Sequence, residues 1–191
     1  KGSLLESFEN DKVFKFLHIP VQSGCDKVLK DLKRVPPSKI FYDVNSEFRK
    51  RFNRSTIATD IIVGFPTETE EDFTKTVDLI NETRPDVVNL SRYSARSGTK
   101  ASQMDQINVD IVKQRSKIVF DLAKNISQQR NEEWIGWKGE VLFDEVSDGI
   151  TKGRNFAYKQ VVTDGKVKIG QKVNVKIDGA APNGLHGTIV S

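Results

Sequence analysis

The chain has 191 residues, of which 37% are hydrophobic and 29% charged, and this composition suits a globular protein that buries a real core. No apolar run approaches the ~20 residues of a membrane span, and the first residues carry no signal-peptide pattern. We therefore expect a cytoplasmic protein of one to two domains with no membrane partner.

The sequence contains one cysteine, Cys25. A single thiol excludes an internal disulfide framework and a structural zinc site made of cysteines. It also excludes an iron–sulfur cluster ligated by this chain alone, because such clusters need several thiolates. We therefore expect no metal ligand in this chain.

The charge balance is mildly basic, with a net charge of +4. This excess permits contact with nucleic acid without requiring it. Basic residues are concentrated in residues 27–54, which are either a solvated helix surface or a binding footprint. The basic residues there are Lys27, Lys30, Lys33, Arg34, Lys39, Arg49, Lys50, Arg51 and Arg54, against Asp31, Asp43 and Glu47.

Up to about Trp134, predicted strands and helices alternate. The predicted strands are residues 14–19, 55–65 and 86–90. The predicted helices are residues 25–34, a segment that begins at Ser38, and a segment that begins at the capping-box pattern of residues 69–72. This order predicts an α/β fold with a parallel sheet, in which ligands bind at the carboxyl ends of the strands.

The chain changes character after a long amphipathic helix predicted for residues 108–133. Beyond Gly136, short segments predict a small closed barrel of four or five strands, namely residues 140–146, 156–163, 172–177 and 185–190. We expect Trp134 and Trp137 to pack this barrel onto the helix. The predicted organisation is an α/β domain (1–107), a connecting helix (108–136) and a barrel (137–191).

Unusual polar segments lie at the ends of all three predicted strands of the sheet. They are residues 18–26, 60–69 and 91–99, and each combines glycine with side-chain donors or acceptors. Because the carboxyl ends of parallel strands meet at one edge, the three segments together predict a binding site for a polar ligand.

These segments carry a specific resemblance to a known family. Residues 18–24 read H-I-P-V-Q-S-G, residues 59–69 read T-D-I-I-V-G-F-P-T-E-T, and residues 93–99 read Y-S-A-R-S-G-T. In this order they resemble the motifs of the radical S-adenosylmethionine (SAM) methylthiotransferases. Residues 153–158 and 185–190 resemble the terminal TRAM module of that family, a small RNA-binding barrel. Residues 89–94 are most similar to the archaeal and eukaryotic branch, which acts on threonylcarbamoyladenosine beside the tRNA anticodon.

The resemblance implies the second half of a (β/α) partial TIM barrel followed by a small all-β, OB-like TRAM barrel. It implies a transferase that adds a methylthio group to C2 of N6-threonylcarbamoyladenosine in the tRNA anticodon stem-loop. The cofactors of the full-length enzyme are S-adenosylmethionine and two 4Fe–4S clusters, whose cysteines lie upstream in this family. We therefore expect a fragment that has no catalytic residue of its own and is inactive alone.

The resemblance also implies cofactor-binding residues at the strand ends, each with a structural alternative. Gln22 and Ser23 contact S-adenosylmethionine or form a hydrogen-bonded turn. Asp60 needs a ligand or a basic partner, because an unpaired buried charge is costly. The remaining expected cofactor-binding residues either contact the cofactor or have a structural role, in the core or in a salt bridge. They are Ile62, Gly64, Arg92 and Tyr93. His18 is expected to brace the first segment, and Glu68 to support the next helix start.

RNA-binding residues are expected on the barrel, where basic side chains surround an aromatic ring. They are Lys152, Arg154, Asn155, Tyr158 and Lys159, with Arg96 from the third polar segment. The expected partner is tRNA, bound by a monomer whose sulfur and electron donors the sequence does not identify.

Three alternatives remain at this point. The chain could be a freestanding RNA-binding protein whose α/β part is only a scaffold. It could also belong to a methylthiotransferase that acts on isopentenyladenosine in tRNA, or on a ribosomal protein. The basic cluster of the barrel disfavours the ribosomal protein as substrate.

Overall fold

The computed structural model describes residues 2–34, 38–147 and 150–190. Its contacts divide the chain into two compact units. The first comprises Lys1–Leu17, Arg51–Thr56 and Lys124–Ser191, and the second comprises His18–Lys50 and Ile57–Ala123. The predicted domain bounds at 107 and 136 stay a prediction.

The α/β part contains a three-stranded sheet of order β1-β2-β3, in which β2 and β3 are parallel as predicted. Its elements in chain order are α1 (Gly2–Ser7), β1 (Phe16–His18), α2 (Asp26–Asp31), α3 (Lys39–Arg51), β2 (Thr56–Val63), α4 (Glu70–Thr83), β3 (Val87–Arg92), a short 3-10 helix (Lys100–Gln103) and α5 (Val109–Glu132). The helix α1 and the 3-10 helix have no counterpart in the sequence prediction.

The two faces of β2 differ in burial. Ile57, Ile61 and Val63 are fully buried, whereas Asp60 and Ile62 are partly exposed. Successive side chains of a strand point to opposite faces, so one face of β2 packs into the core and its other face bears Asp60 and Ile62.

The predicted helix start at residues 69–72 is confirmed. The Thr69 hydroxyl accepts a hydrogen bond from the Asp72 amide, and the Asp72 carboxylate accepts one from the Thr69 amide. This reciprocal pairing satisfies two backbone donors that the first turn of a helix leaves free. The helix ends at Arg84 in a left-handed conformation, directly before Pro85.

The predicted closed barrel is confirmed and has five strands, in the order β4-β5-β6-β8-β7. They are β4 (Lys138–Ser147), β5 (Ile150–Arg154), β6 (Gln160–Thr163), β7 (Lys172–Ala181) and β8 (Gly184–Ile189). The interior is filled by alternating apolar side chains, which are Val141, Phe143, Ala157, Val161, Val175, Ile177 and Leu185.

Trp134 packs into the barrel core together with Trp137, as predicted. Trp134 is 2% exposed, and the two indole rings meet edge to face with centroids 5.5 Å apart. Trp134 lies two residues beyond the end of α5, so aromatic contacts pack the barrel at the end of this helix.

One predicted strand, residues 156–163, begins too early. Residues 155–159 form a turn in which Oδ1 of Asn155 accepts hydrogen bonds from the amides of Ala157 and Lys159. Tyr158 sits in this turn with a φ of 61°. An asparagine side chain that mimics a backbone turn competes with strand pairing, which explains why β6 starts only at Gln160.

His186 on β8 lies between two carboxylates. Its Nδ1 is 2.7 Å from Oδ1 of Asp178, and its Nε2 is 3.4 Å from Oδ2 of Asp164. The hydrogen bond with Asp178 outweighs the opposing effect of burial and raises the pKa of His186 above its usual value. The folded barrel therefore stabilises the imidazolium form relative to the unfolded chain.

We expect this histidine to make stability depend on pH. Its contribution is fully present below the pKa of histidine in the unfolded chain, about 6.5. It is lost as the pH rises through the raised pKa of the folded state. Urea unfolding at a series of pH values measures the loss, which we expect to be below about 1 kcal/mol because the pair is exposed. His186→Gln should flatten this part of the profile, and an unchanged profile in that variant would contradict the assignment.

No helix within the described ranges is both long and apolar enough to cross a membrane.

Candidate functional site

A polar cluster of three residues, one from each strand of the sheet, lies on the less buried face of β2. Oδ1 of Asp60 is 2.9 Å from Nε2 of His18. The same oxygen accepts a hydrogen bond of 2.9 Å from Nδ2 of the Asn89 side chain. Asp60 and Asn89 are direct partners in the parallel register. The basic partner that Asp60 was predicted to need is thus His18.

The ionised form of Asp60 is favoured. Burial opposes ionisation, but the hydrogen bonds from Asn89 and His18 outweigh it and lower the pKa of Asp60. Both bonds end on Oδ1, so Oδ2 has no hydrogen-bond partner among the residues that the structure describes. A carboxylate oxygen of this kind can accept a hydrogen bond from a ligand hydroxyl or ammonium group.

Gln22 lies directly beside this cluster. The backbone N–H of Gln22 donates to the backbone carbonyl of Asp60 at 2.8 Å, and the backbone carbonyl of Gln22 accepts from the Ile62 N–H at 2.9 Å. The residue is 8% exposed and has a φ of 73°. A left-handed backbone at a glutamine is uncommon and costs free energy, so the surrounding bonds hold it in place. The structure therefore brings together Gln22, Asp60 and Ile62, three of the predicted cofactor-binding residues.

The side chain of Ser23 has partners inside the fold. The residue is fully buried, its hydroxyl is 3.2 Å from the Thr76 hydroxyl, and it accepts a hydrogen bond from the Cys25 amide at 3.1 Å. The adjacent Gly24 amide also donates to the Thr76 hydroxyl. These bonds fix the first polar segment to α4, which corresponds to the hydrogen-bonded turn considered for Ser23. Its contact with a cofactor stays a prediction.

Gly64, at the end of β2, requires glycine for two reasons. Its φ is 83°, and a Cβ atom there would lie 2.7 Å from a methyl carbon of Val112 on α5. Its amide donates to Oε2 of Glu68 at 2.8 Å. The close approach of α5 to this strand end therefore depends on the missing side chain.

Glu68 forms a buried ion pair that the sequence analysis did not anticipate. Nη1 of Arg115 on α5 lies 2.8 Å from its Oε2 and also donates to its backbone carbonyl. The two side chains are 0% and 7% exposed. Burial raises the pKa of Glu68, although the Gly64 amide and Arg115 act in the opposite direction. The sequence contains a signal for this buried arginine, because Arg115 lies between Val112 and Val119 in the buried stripe of α5.

At the third strand end, Tyr93 packs edge to face on Phe65 with ring centroids 5.1 Å apart. Arg92 and Arg96 are exposed. Neither guanidinium forms an ion pair with a described residue, so the structure does not provide the salt bridge that was the alternative to ligand binding. Both remain candidates for contact with an anionic group.

Cys25 is buried and its thiol donates to Oδ1 of Asp72 at 3.0 Å. Over the described ranges, no group of three or more His, Cys, Asp or Glu side chains is arranged to hold a metal ion. The residues present therefore do not fit an iron–sulfur cluster, which needs several thiolates.

On the barrel, the predicted RNA-binding residues separate into two groups. Arg154 stacks on Tyr158, with the guanidinium carbon 4.9 Å from the ring centroid, and Lys152 pairs with Glu145 at 2.7 Å. These three side chains are partly or largely exposed. They form the accessible part of the predicted surface.

Asn155 and Lys159 are buried, at 1% and 6% exposed. Asn155 holds the turn, and the ammonium group of Lys159 donates to the Asn131 side chain at 2.7 Å. Their side chains support the barrel and are turned away from solvent. Arg96 belongs to the other compact unit.

The chain matches relatives over nearly its whole length, although no protein-family model matches it. It is 44% identical over 98% of its length to a probable threonylcarbamoyladenosine tRNA methylthiotransferase of Archaeoglobus fulgidus, of which it covers 44%. It is 40% identical over 98% to the protein of the same description from Methanocaldococcus jannaschii, of which it covers 43%. It is also 35% identical over 97% to a tRNA-2-methylthio-N(6)-dimethylallyladenosine synthase of Thermosipho melanesiensis, of which it covers 44%.

Among solved structures, coproporphyrinogen III oxidase from Escherichia coli, a radical SAM enzyme, is similar with a TM-score of 0.52. The match has 16% sequence identity and covers 100% of this chain and 49% of that one. At this identity the likeness concerns the fold alone. The chain spans less than half the length of the curated relatives described above.

Proposed function

Because the chain belongs by sequence to the radical S-adenosylmethionine methylthiotransferase family, we propose that it is the carboxyl-terminal part of a tRNA methylthiotransferase. The complete enzyme adds a methylthio group to C2 of N6-threonylcarbamoyladenosine. This part supplies one side of the S-adenosylmethionine site and the module that binds tRNA. The sheet is the second half of the radical SAM partial TIM barrel, and the five-stranded barrel is a TRAM module.

The observation that carries the proposal is the identity of 44% over 98% of the chain to a relative described as acting on threonylcarbamoyladenosine. Five relatives described as threonylcarbamoyladenosine tRNA methylthiotransferases are 37% to 44% identical, and three described as dimethylallyladenosine synthases are 35% to 37% identical. The ranges meet at 37%, and the higher identities support the threonylcarbamoyladenosine branch.

The residues at the strand ends fit S-adenosylmethionine, which has ribose hydroxyls, an amino-acid group and an adenine ring. Oδ2 of Asp60 accepts a hydrogen bond from a hydroxyl or ammonium group, and Ile62 offers an apolar side chain to the ring. Gln22 is held beside Asp60 and Ile62 by its backbone bonds. S-adenosylmethionine supplies the radical chemistry when it is bound. The clusters of the complete enzyme require thiolates that this chain does not contain.

This chain contributes to that site by orienting the cofactor. His18 and Asn89 fix Oδ1 of Asp60 and keep the carboxylate ionised. A carboxylate held in one position on a strand orders a ligand at a smaller entropic cost than a mobile one.

The decisive test uses the complete gene product, reconstituted anaerobically with iron and sulfide. It is incubated with S-adenosylmethionine and tRNA that carries either threonylcarbamoyladenosine or isopentenyladenosine, and the nucleosides are analysed by mass spectrometry. We expect a methylthio group on threonylcarbamoyladenosine only. Modification of isopentenyladenosine instead would overturn the branch assignment, and modification of neither would overturn the function.

Asp60→Asn tests the proposed cofactor site within that enzyme. The substitution preserves the shape of the side chain and removes its charge. We expect the affinity for S-adenosylmethionine, measured by calorimetry, to fall about tenfold, as for the loss of one charge-assisted hydrogen bond. Asp105→Asn is the matched control, because Asp105 is an exposed carboxylate outside the polar cluster. Equal affinities of the two variants for S-adenosylmethionine would show that Asp60 does not bind the cofactor.

A further inference from the structure

A cleft of about 650 Å³ lies within the first compact unit, between residues 11–15 and one edge of the barrel. The amino-terminal segment contributes Lys12 and Phe14 to its lining, and the barrel contributes Arg154, Phe156 and Lys172. Of these five residues, only Arg154 belongs to the RNA-binding set that the sequence predicts. The cleft therefore combines that residue with side chains from a distant part of the chain.

The amino-terminal segment is held on the barrel by specific contacts. The Lys15 amide donates to the Phe156 carbonyl at 2.8 Å. The rings of Phe14 and Phe16 pack on Tyr158 with centroid distances of 5.0 and 5.3 Å. This wall of the cleft is therefore a built part of the barrel unit.

The contacts of Tyr158 bear on its expected role. Its ring is contacted by Phe14, by Phe16 and by the guanidinium of Arg154. Tyr158 is 41% exposed, but it is not among the residues that line the cleft. Its contact with Arg154 places that guanidinium at the cleft, and a contact of Tyr158 itself with RNA stays a prediction.

Two other aromatic rings line the cleft, and each also packs on a neighbouring ring, Phe14 on Tyr158 and Phe156 on Trp134. Phe14 is 38% exposed and Phe156 is 41% exposed, and both line the cleft. Exposed aromatic rings beside cationic groups are typical of sites that bind single-stranded nucleic acid, because bases stack on the rings while phosphates meet the cations.

The charges of the cleft favour an anion. Neither Lys12 nor the Arg154 guanidinium, which lies over the Tyr158 ring, forms an ion pair with a described residue, and Lys172 is 3.8 Å from Glu140. The ammonium group of Lys15 is directed to the carbonyls of Asn10 and Val13. The carboxylates in the lining are those of Asp11 and Glu140. The lining thus carries four cations against two carboxylates; Lys15 is bonded to backbone carbonyls and Lys172 is close to Glu140, which leaves Lys12 and Arg154 without an ion pair among the described residues.

We propose that this cleft binds a single-stranded segment of the substrate RNA. Its bases stack on Phe14 and Phe156, and its phosphates contact Lys12, Arg154 and Lys172. The RNA surface of this protein is then composite, because the segment before β1 completes it. This inference rests on the proposed function in one respect, namely that the barrel binds tRNA.

The test measures binding of a fluorescently labelled single-stranded oligoribonucleotide by anisotropy at several salt concentrations. Lys12→Ala removes one phosphate contact, so the slope of log affinity against log salt should become shallower by about 0.7. Phe14→Leu keeps an apolar side chain against Tyr158 but removes the stacking face, and should weaken binding at least about fivefold. Lys166→Ala is the matched control, since Lys166 is an exposed barrel lysine outside the cleft, and should change neither quantity.

The outcomes separate this inference from the proposed function. If Arg154→Ala weakens binding while Lys12→Ala and Phe14→Leu behave like Lys166→Ala, the composite cleft is wrong and the barrel surface stands. If the unmodified protein binds no RNA, the proposed RNA-binding module fails as well. If the protein binds a duplex RNA of the same length as tightly as the single strand, and Phe14→Leu does not change that affinity, the proposed stacking of bases is wrong. Lys12 is exposed, so its variant tests the cleft even if Phe14→Leu disturbs the fold.

Discussion

Arg115→Met is expected to lower the free energy of unfolding by about 3 to 5 kcal/mol. The guanidinium of Arg115 is the cationic partner of Glu68, and both side chains are almost completely buried. Methionine fills much of the same space, but it leaves the Glu68 carboxylate buried without its counter-charge. The desolvation cost of that charge then appears in full, because among the described residues the Gly64 backbone amide is the one donor left to it. Urea unfolding of the purified variant measures the change.

Lys113→Met on the same helix is the matched control. Lys113 pairs with Asp110 at the surface, at 3.1 Å, and loss of an exposed pair costs below about 1 kcal/mol. The double variant Arg115→Met with Glu68→Gln removes both charges, so it should be more stable than the sum of the two single effects predicts. Equal stabilities of Arg115→Met and Lys113→Met would show that the buried pair contributes little.

Gly24→Ala is expected to destabilise the protein by about 3 kcal/mol, the upper end of the usual cost of overpacking. A Cβ atom at Gly24 would overlap the backbone carbonyl oxygen of Lys75 and lie 2.7 Å from the Cα atom of Thr76. These are backbone atoms within α4, so the helix cannot yield as a flexible side chain would. The substitution should therefore displace the first polar segment, which carries Gln22, from its position beside Asp60.

Gly98→Ala distinguishes steric overlap from a general effect of replacing glycine. Gly98 has a φ of 81° and open space around its Cα atom, so alanine there costs only the backbone strain, about 1 kcal/mol. We expect Gly24→Ala to be clearly less stable than Gly98→Ala in thermal unfolding, and to bind S-adenosylmethionine less tightly in the complete enzyme. A smaller loss at Gly24 than at Gly98 would argue against the close approach of the segment to α4.

Much of the secondary structure could be predicted from local sequence signals. The β-branched run around Ile61 predicts β2, the capping box at Thr69 and Asp72 predicts the start of α4, and the alternation after Gly136 predicts the barrel strands. In each of these cases the signal and the structure lie within a few residues of each other. The turn at residues 155–159 shows the limit, because the Asn155 side chain replaces strand pairing with its own hydrogen bonds.

The candidate site was predicted less completely. Asp60 was expected to need a ligand or a basic partner, and its partner is His18, which was expected only to brace the loop. Lys159 was grouped with the RNA-binding residues from its position in a basic segment. Its ammonium group instead lies buried against Asn131, 28 residues earlier in the chain. A one-dimensional pattern does not show whether a lysine beside an aromatic residue points outwards.

By itself, the sequence determined the alternation of strands and helices, the helix start at Thr69, the closed barrel and the family resemblance, because periodicity and motif spacing are properties of neighbouring residues. The tertiary structure alone decided that Asp60 and Ile62 lie on the less buried face of β2, that Arg115 pairs with Glu68 47 residues away, and that Phe14 and Arg154 line one cleft. These arrangements depend on contacts between segments that are distant in the chain. Burial, not residue type, then determines which charged side chains support the fold and which remain available to a ligand.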